Sequence, residues 1–248
     1  MNAVANGKRW MPVFINSNNR SSGSIEDCVI SIEGLGRNEV DENYEMLLNE
    51  FRMTMDVPNI NSYSRSLTTS EGVLNIPKGN YNANQLISEL VMLGITTTYD
   101  GIAEKFTFIG VSHTIGTTSL IGTTAQAMML NEYQADLFGL SSGVSYQLSP
   151  PLTSEKVINL NYPKQIKIST GIPLESFNSW SQNSNIIDIA FPDVSFGSEY
   201  IHTNYYPVST RINQIRDIPL QLSDEYNNPL VDKDTDYQMK LLFSTNQS

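Results

Sequence analysis

Two stretches toward the C-terminal end set the strongest limit on what this chain can fold into. Ile218, Leu220 and Leu222 alternate with Pro219, Gln221 and Ser223, and Tyr237, Met239, Leu241 and Phe243 alternate with Gln238, Lys240 and Leu242. A repeat of two is the signature of a half-buried strand, because successive side chains point to opposite faces of a sheet. The same period recurs upstream. Cys28, Ile30 and Ile32 oppose Asp27, Val29, Ser31 and Glu33, while Leu47, Asn49, Phe51, Met53 and Met55 oppose Leu48, Glu50, Arg52 and Thr54. Leu47, Phe51 and Met55 also fit a helical spacing, so both states stay open for that stretch. Shorter strands are expected at 73–76, closed by Pro77, and at 157–160, 165–170 and 186–191. Thr97 and Tyr99 face Phe106 and Phe108 across Asp100-Gly101, the pattern of a hairpin with a slightly long loop.

Helical signals are few. In 82–94, Leu86, Ile87, Leu90 and Val91 recur at helical spacing, Asn82 and Gln85 form a variant capping box, and Gly94 stands where a C-cap belongs. A second candidate spans 123–138, with Ala127, Leu130 and Leu137 available to one face. Short strands, long polar connections and no alternation of strand with helix predict a mainly β fold, an antiparallel single jelly-roll sandwich with a small helix-containing insertion. At 248 residues one large core is feasible. The expected organisation is a polar N-terminal arm over 1–26 and a jelly-roll domain over 27–248, with a candidate inserted subdomain at about 79–150.

Composition narrows the function. A formal charge of −11 with scattered cations opposes direct nucleic-acid binding, which needs clustered Lys and Arg. The single cysteine, Cys28, excludes an intramolecular disulfide and lies on an apolar strand face, where buried filler is its expected role. The start MNAVANGKRW lacks the apolar core of a secretory leader and has no Gly at position 2, and no run of eighteen apolar residues occurs, so a soluble, cytosolic chain without a membrane span is expected.

Catalytic patterns fail on inspection. Gly139-Leu140-Ser141-Ser142-Gly143 matches a nucleophile elbow, but that motif needs a strand before it and a helix after it, and Pro150-Pro151 forbids the helix. His113 and His202 have no second ligand at metal spacing. Counted from Asp232, a calcium loop requires Gly sixth and Glu twelfth and meets Tyr237 and Phe243. The acidic run with Asp224-Glu225 is then expected to be the solvated connection of a hairpin, with an irregular cation site as the alternative. Gly34-Leu35-Gly36 lacks the third glycine of a dinucleotide fingerprint. No catalytic, cofactor-binding, metal or binding residue is assigned, no cofactor is expected, and weight moves from enzyme to binding or structural protein.

The polar run INSNNRSSGS ahead of a strand, IPKGNYNANQLISEL leading into a helix, the hairpin ending KFTF, the DLFGL box and the terminal IRDIPLQLSDEYNNPLVDKDTDYQMKLLF together resemble the single jelly-roll penton, or minor capsid, proteins of virophages and Polinton-like viruses. The resemblance runs in order from about Ile15 to Phe243. It implies a virion protein, assembled in the host cytoplasm, standing as a homopentamer at the fivefold vertex against double jelly-roll major capsid proteins, with the insertion projecting outward. Such proteins bring no catalytic residues. On this basis the arm is expected to order on a neighbouring subunit, anchored by Trp10, Val13, Phe14 and Ile15. The rival function is a carbohydrate- or receptor-binding sandwich using Tyr205-Tyr206 and Trp180, and a third, a hydrolase, rests on Ser141 alone.

Overall fold

The computed structural model describes residues 4–5, 8–32, 45–69, 72–111, 113–115, 118–120, 127–129, 132–142, 145–147, 151–175, 185–210, 216–230, 232–233 and 235–245. The chain divides into two compact units, one built from Met1–Asp56 with Pro163–Ser248 and the other from Val57–Tyr162. The first unit opens with β1 (Val4–Ala5), β2 (Lys8–Asn16), a 3-10 turn (Ser17–Asn19), β3 (Ser22–Gly23), β4 (Asp27–Ser31) and β5 (Glu45–Thr54). The second unit holds β6 (Ser66–Thr69), β7 (Gly72–Asn75), α1 (Ala83–Met92), β8 (Ile95–Asp100), β9 (Lys105–Val111), β10 (His113–Ile115), β11 (Thr118–Leu120), β12 (Ala127–Met129), α2 (Glu132–Phe138), β13 (Ser145–Gln147) and β14 (Leu152–Thr153). The chain then completes the first unit with β15 (Ile166–Thr170), β16 (Leu174–Glu175), β17 (Ile186–Ala190), β18 (Glu199–Thr203), β19 (Val208–Thr210), β20 (Asp217–Ser223) and β21 (Tyr237–Thr245).

Strand pairing in the first unit is that of a jelly roll. One sheet runs β1-β2-β21-β5-β19-β16, with β18 also on β5, and the other runs β17-β15-β20-β4-β3. Taking β18 and β19 as one interrupted strand, since both pair with β5, the eight principal strands are β2, β4, β5, β15, β17, β18/β19, β20 and β21. In chain order, first pairs with eighth, eighth with third and third with sixth, while second pairs with seventh, seventh with fourth and fourth with fifth. That double Greek key defines the fold.

The alternation read from sequence fills the space between the sheets. Tyr237, Met239, Leu241 and Phe243 of β21 are buried, as are Ile218, Leu220 and Leu222 of β20 and Ile166 and Ile168 of β15. Each such side chain contributes about 1.5–3 kcal/mol relative to exposure. Cys28 is buried, and its sulfur lies 3.2 Å from the Tyr237 hydroxyl, linking the two sheets through the core.

Five expectations are corrected. β20 and β21 do not form a hairpin: they lie in different sheets, because their two apolar faces bury against each other's layer rather than side by side. In β5 the phase changes midway, with Met46 and Leu48 fully buried on one side of a bulge and Phe51 and Met53 on the other, so Asn49 does not belong to the core row. Residues 157–160 form no strand, and among the described residues of 123–138 Glu132–Phe138 is helical while Ala127–Met129 is extended. Finally, the N-terminal arm is built into the sandwich along Lys8–Asn16: this segment pairs with β21 from Arg9↔Thr245 to Asn16↔Gln238, so its ladder facing β21 is made within the chain.

The second unit has its own core. Leu86 and Leu90 of α1 pack with Ile95, Phe106, Phe108 and Phe138. The Phe108 and Phe138 rings meet edge to face at 5.6 Å. α1 begins as its sequence predicts, with Asn82 accepting from the Gln85 amide while Gln85 returns a bond to the Asn82 amide, and Gly94 follows it at φ +84°. β8 and β9 form the expected hairpin, whose turn is held by the Asp100 carboxylate accepting from Ile102 and Ala103.

Candidate interaction surface

The residues that drew attention for their chemistry are engaged in structure. Ser141 follows a helix, because Gly139 ends α2 in a left-handed conformation at φ +65°. The Ser141 hydroxyl donates to Glu155 at 2.9 Å, and the same carboxylate receives the Tyr146 hydroxyl. A carboxylate that accepts from serine through a loop contact, without a helix N-terminus beneath it, is not an elbow geometry. Gly143 lies outside the described residues, as do Gly34-Leu35-Gly36, Trp180 and the His113 side chain.

His202 of β18 lies 2.8 Å from the carboxylate of Asp188 of β17. The pair ties the edge strand of one sheet to the edge strand of the other, since His202 shares the face of Phe51 and Asp188 that of Ile168. Sequence spacing gave no sign of this contact.

The acidic run is neutralised from inside, correcting the picture of a purely solvated connection. The Lys233 ammonium is wholly buried and donates to Asp56 at 2.6 Å, to the Thr54 carbonyl at 3.0 Å and to the Thr235 hydroxyl at 3.2 Å. Asp236 accepts from the Ser17 hydroxyl and lies 3.5 Å from Arg20. Asp224 is buried and accepts from the Tyr226 and Asn228 amides, and burial raises its carboxyl to about 6. Among the described residues no group of three His, Cys, Asp or Glu stands close enough to hold a metal ion, and no helix is long and apolar enough to cross a membrane.

What the first unit does present is an apolar rim. Phe191, Phe196, Ile201, Tyr205 and Tyr206, all within 191–206, are exposed, the two tyrosines by 74% and 81%. The rim is held in shape. Asn204 accepts from the Tyr205 and Tyr206 amides at 2.6 and 3.0 Å. The Gly197 amide donates to the Met55 carbonyl and the Met55 amide to Ser198, fastening the preceding loop to the end of β5. Beneath it Tyr200 is buried, and burial holds its phenol above the usual range. Exposed apolar side chains on a hydrogen-bonded backbone suit a contact surface, because covering them costs little ordering entropy.

Among solved structures, the chain is similar to the mavirus penton protein, known from a crystal structure of its SeMet-labelled form. The two are 13% identical, the alignment covers 95% of this chain and 99% of that one, and the TM-score is 0.43. No protein-family model matches the sequence. No curated protein matches it either. The jelly-roll assignment stands on the strand pairing itself.

Of the rim, only Tyr205-Tyr206 was singled out from the sequence. Phe191, Phe196 and Ile201 were missed, since in a single sequence an apolar residue beside a strand reads as core.

Proposed function

We propose that this chain is a structural subunit of an icosahedral viral shell, the penton that closes the fivefold vertex as a homopentamer beside double jelly-roll major capsid proteins. The observation that carries this reading is the rigid apolar rim on a jelly-roll sandwich: it supports adhesion to protein rather than turnover of a substrate. The sequence resemblance from about Ile15 to Phe243 supports the vertex position. A non-enzymatic role is consistent with Ser141 being bound to Glu155 on a loop that follows a helix. The unit Val57–Tyr162, with its own core, fits a part that projects from the shell and meets a host receptor or glycan. The protein then resides in the virion and assembles in the host cytoplasm.

The test is cryo-electron microscopy of purified particles, in which density for this chain at the fivefold axis in five copies is expected. Its absence from the vertex overturns the reading. Light scattering after size-exclusion chromatography complements it. With each copy at −11, rings are expected to be favoured as salt screens the repulsion between copies.

A second reading is favoured by one observation, the adjacent exposed Tyr205 and Tyr206, which suit stacking on a sugar ring. Selective binding on a glycan array, lost in Tyr205→Ser/Tyr206→Ser, would support it.

A further inference from the structure

We propose that the outer face of β2, β21 and β5 carries a carbohydrate subsite, a cleft beside Phe14 that takes one neutral pyranose ring of a glycan. The site is separate from Tyr205-Tyr206 and does not rest on the shell-subunit reading.

Strand register builds the cleft. In β2 the side chain of Ile15 is buried in the core, so those of Phe14 and Asn16 point outward. The ladder sets Lys240 opposite Phe14, Gln238 opposite Asn16, and Glu50 opposite Lys240 on the far side. Past β2 the chain turns through Ser17–Asn19, which Asn16 caps by accepting from the Asn18 amide at 2.9 Å. Arg20 closes that turn, its amide and its guanidinium donating to the Ser17 carbonyl at 3.2 and 2.9 Å. The result is a shallow cleft of about 260 Å³ bordered by Phe14, Asn16, Asn19, Glu50, Gln238 and Lys240. Drug-sized ligands need about 300–1,000 Å³, so this volume matches a single ring.

Its chemistry is that of a sugar's counterpart. A pyranose has an apolar C–H face and a rim of hydroxyls that both donate and accept. Phe14 is 75% exposed and offers an aromatic surface to the C–H face. Among the described residues the side-chain amides of Asn19 and Gln238 have no hydrogen-bond partner, so each keeps donors and an acceptor for hydroxyls. Glu50 accepts from Arg52 through Oε1 at 2.6 Å and keeps Oε2 as a further acceptor. The Lys240 ammonium, 5.8 Å from the centre of the Phe14 ring, stands near the outer limit of a cation–π contact and is able to turn to a hydroxyl. All but Asn19 sit on paired strands, so little backbone ordering is required on binding.

Charge narrows the ligand. The lining holds one carboxylate, Glu50, and one ammonium, Lys240, which cancel. A phosphate or an acidic sugar would need a surplus of cations, in a chain whose net charge is −11. A divalent metal ion would need more than one carboxylate. An amphipathic helix would need a row of exposed apolar side chains where the cleft has Phe14. A neutral, hydroxylated ring with one apolar face meets every group present.

The experiment is saturation-transfer difference NMR on the full-length protein with the methyl glycosides of glucose, galactose, mannose, fucose and N-acetylglucosamine, and with that of sialic acid as the acidic probe. At least one neutral glycoside is expected to bind with a millimolar Kd, to receive saturation chiefly on its ring C–H protons, and to shift the side-chain amide signals of Asn19 and Gln238. Phe14→Ala is expected to weaken that binding about tenfold and Phe14→Trp to retain it. Gln238→Ala, on the same face, should also weaken it, and Tyr205→Ser/Tyr206→Ser should leave it unchanged. Both Phe14 and Gln238 are exposed, so native circular dichroism is expected in each variant. Binding by none of the neutral glycosides, an unchanged Kd in both Phe14→Ala and Gln238→Ala, a loss that follows the two tyrosines, or tighter binding of the sialoside than of every neutral sugar would overturn the site. Those outcomes leave the shell role standing, since that role is decided by density at the vertex.

Discussion

The ammonium of Lys233 lies 2.6 Å from the carboxylate of Asp56, a contact that joins the segment before β21 to the residue just past β5. Asp56 also accepts from the Thr235 amide at 2.6 Å, so one carboxylate fixes both the lysine and the backbone that leads into β21. Removing one partner of a buried pair strands the other charge. Lys233→Met is therefore expected to destabilise the first unit by about 3 kcal/mol, measured by urea denaturation. Asp56→Asn should cost a similar amount, and the double variant less than the sum of the two.

Asp224 sets a pH dependence of defined sign. Its carboxyl is raised to about 6 by burial, above the ordinary value of 3.8. Between those values the folded state holds a proton that the unfolded state has released, so this group's contribution to stability falls as pH rises from about 4 to 6. Asp224→Asn keeps an oxygen for the Tyr226 and Asn228 amides and cannot ionise. The variant is expected to gain on the wild type by on the order of 2–3 kcal/mol between pH 4 and pH 7, read from parallel urea titrations.

Gly139 carries the turn out of α2. A Cβ added there would stand 2.2 Å from the Lys156 carbonyl oxygen, and the φ of +65° is one that L residues rarely adopt. Lys156 in turn donates its amide to the Gly139 carbonyl at 2.8 Å. Gly139→Ala should cost about 2 kcal/mol or more, the left-handed strain plus the displaced strand of chain at Lys156. Hydrogen exchange should show the loss concentrated in 132–160.

Ser141 is expected to be inert. Its hydroxyl is held by a carboxylate that also receives Tyr146, with no strained strand-to-helix turn to expose it. Incubation with a fluorophosphonate probe should label the native protein no more than Ser141→Ala, and stoichiometric labelling at Ser141 would overturn the non-enzymatic reading.

The sequence disclosed those features whose causes are local. Asn82, Gln85 and Gly94 bracket α1 within a dozen residues, and the alternation in β20 and β21 reports a buried face wherever the strand ends up. It did not disclose pairing. Nothing near Ile218 or Tyr237 says that the two strands belong to opposite sheets, because their partners Cys28 to Ile30 and Phe51 to Met53 lie far away in the chain. The bulge in β5 was hidden by the run Met46-Leu47-Leu48, in which every phase is apolar. β2 was obscured by Phe14, an exposed aromatic between the partly buried Val13 and the buried Ile15, and by Pro12, which reads as a breaker but is tolerated in an edge strand. Lys233 looked like one more solvated charge, since its partner Asp56 is remote. The rim went largely unseen for the same reason: exposure is a property of what a chain has finished building around a residue.

That β21 lies between β2 and β5 also sets a timetable. On a ribosome β2 waits, one long edge bare, until Tyr237–Thr245 has been made, and β5 waits beside the same gap. High contact order of this kind slows folding and leaves nascent material open to misassociation. A translation product cut short before Tyr237 would carry two unsatisfied edges where the folded protein has a ladder, and so would be a substrate for chaperones or proteases.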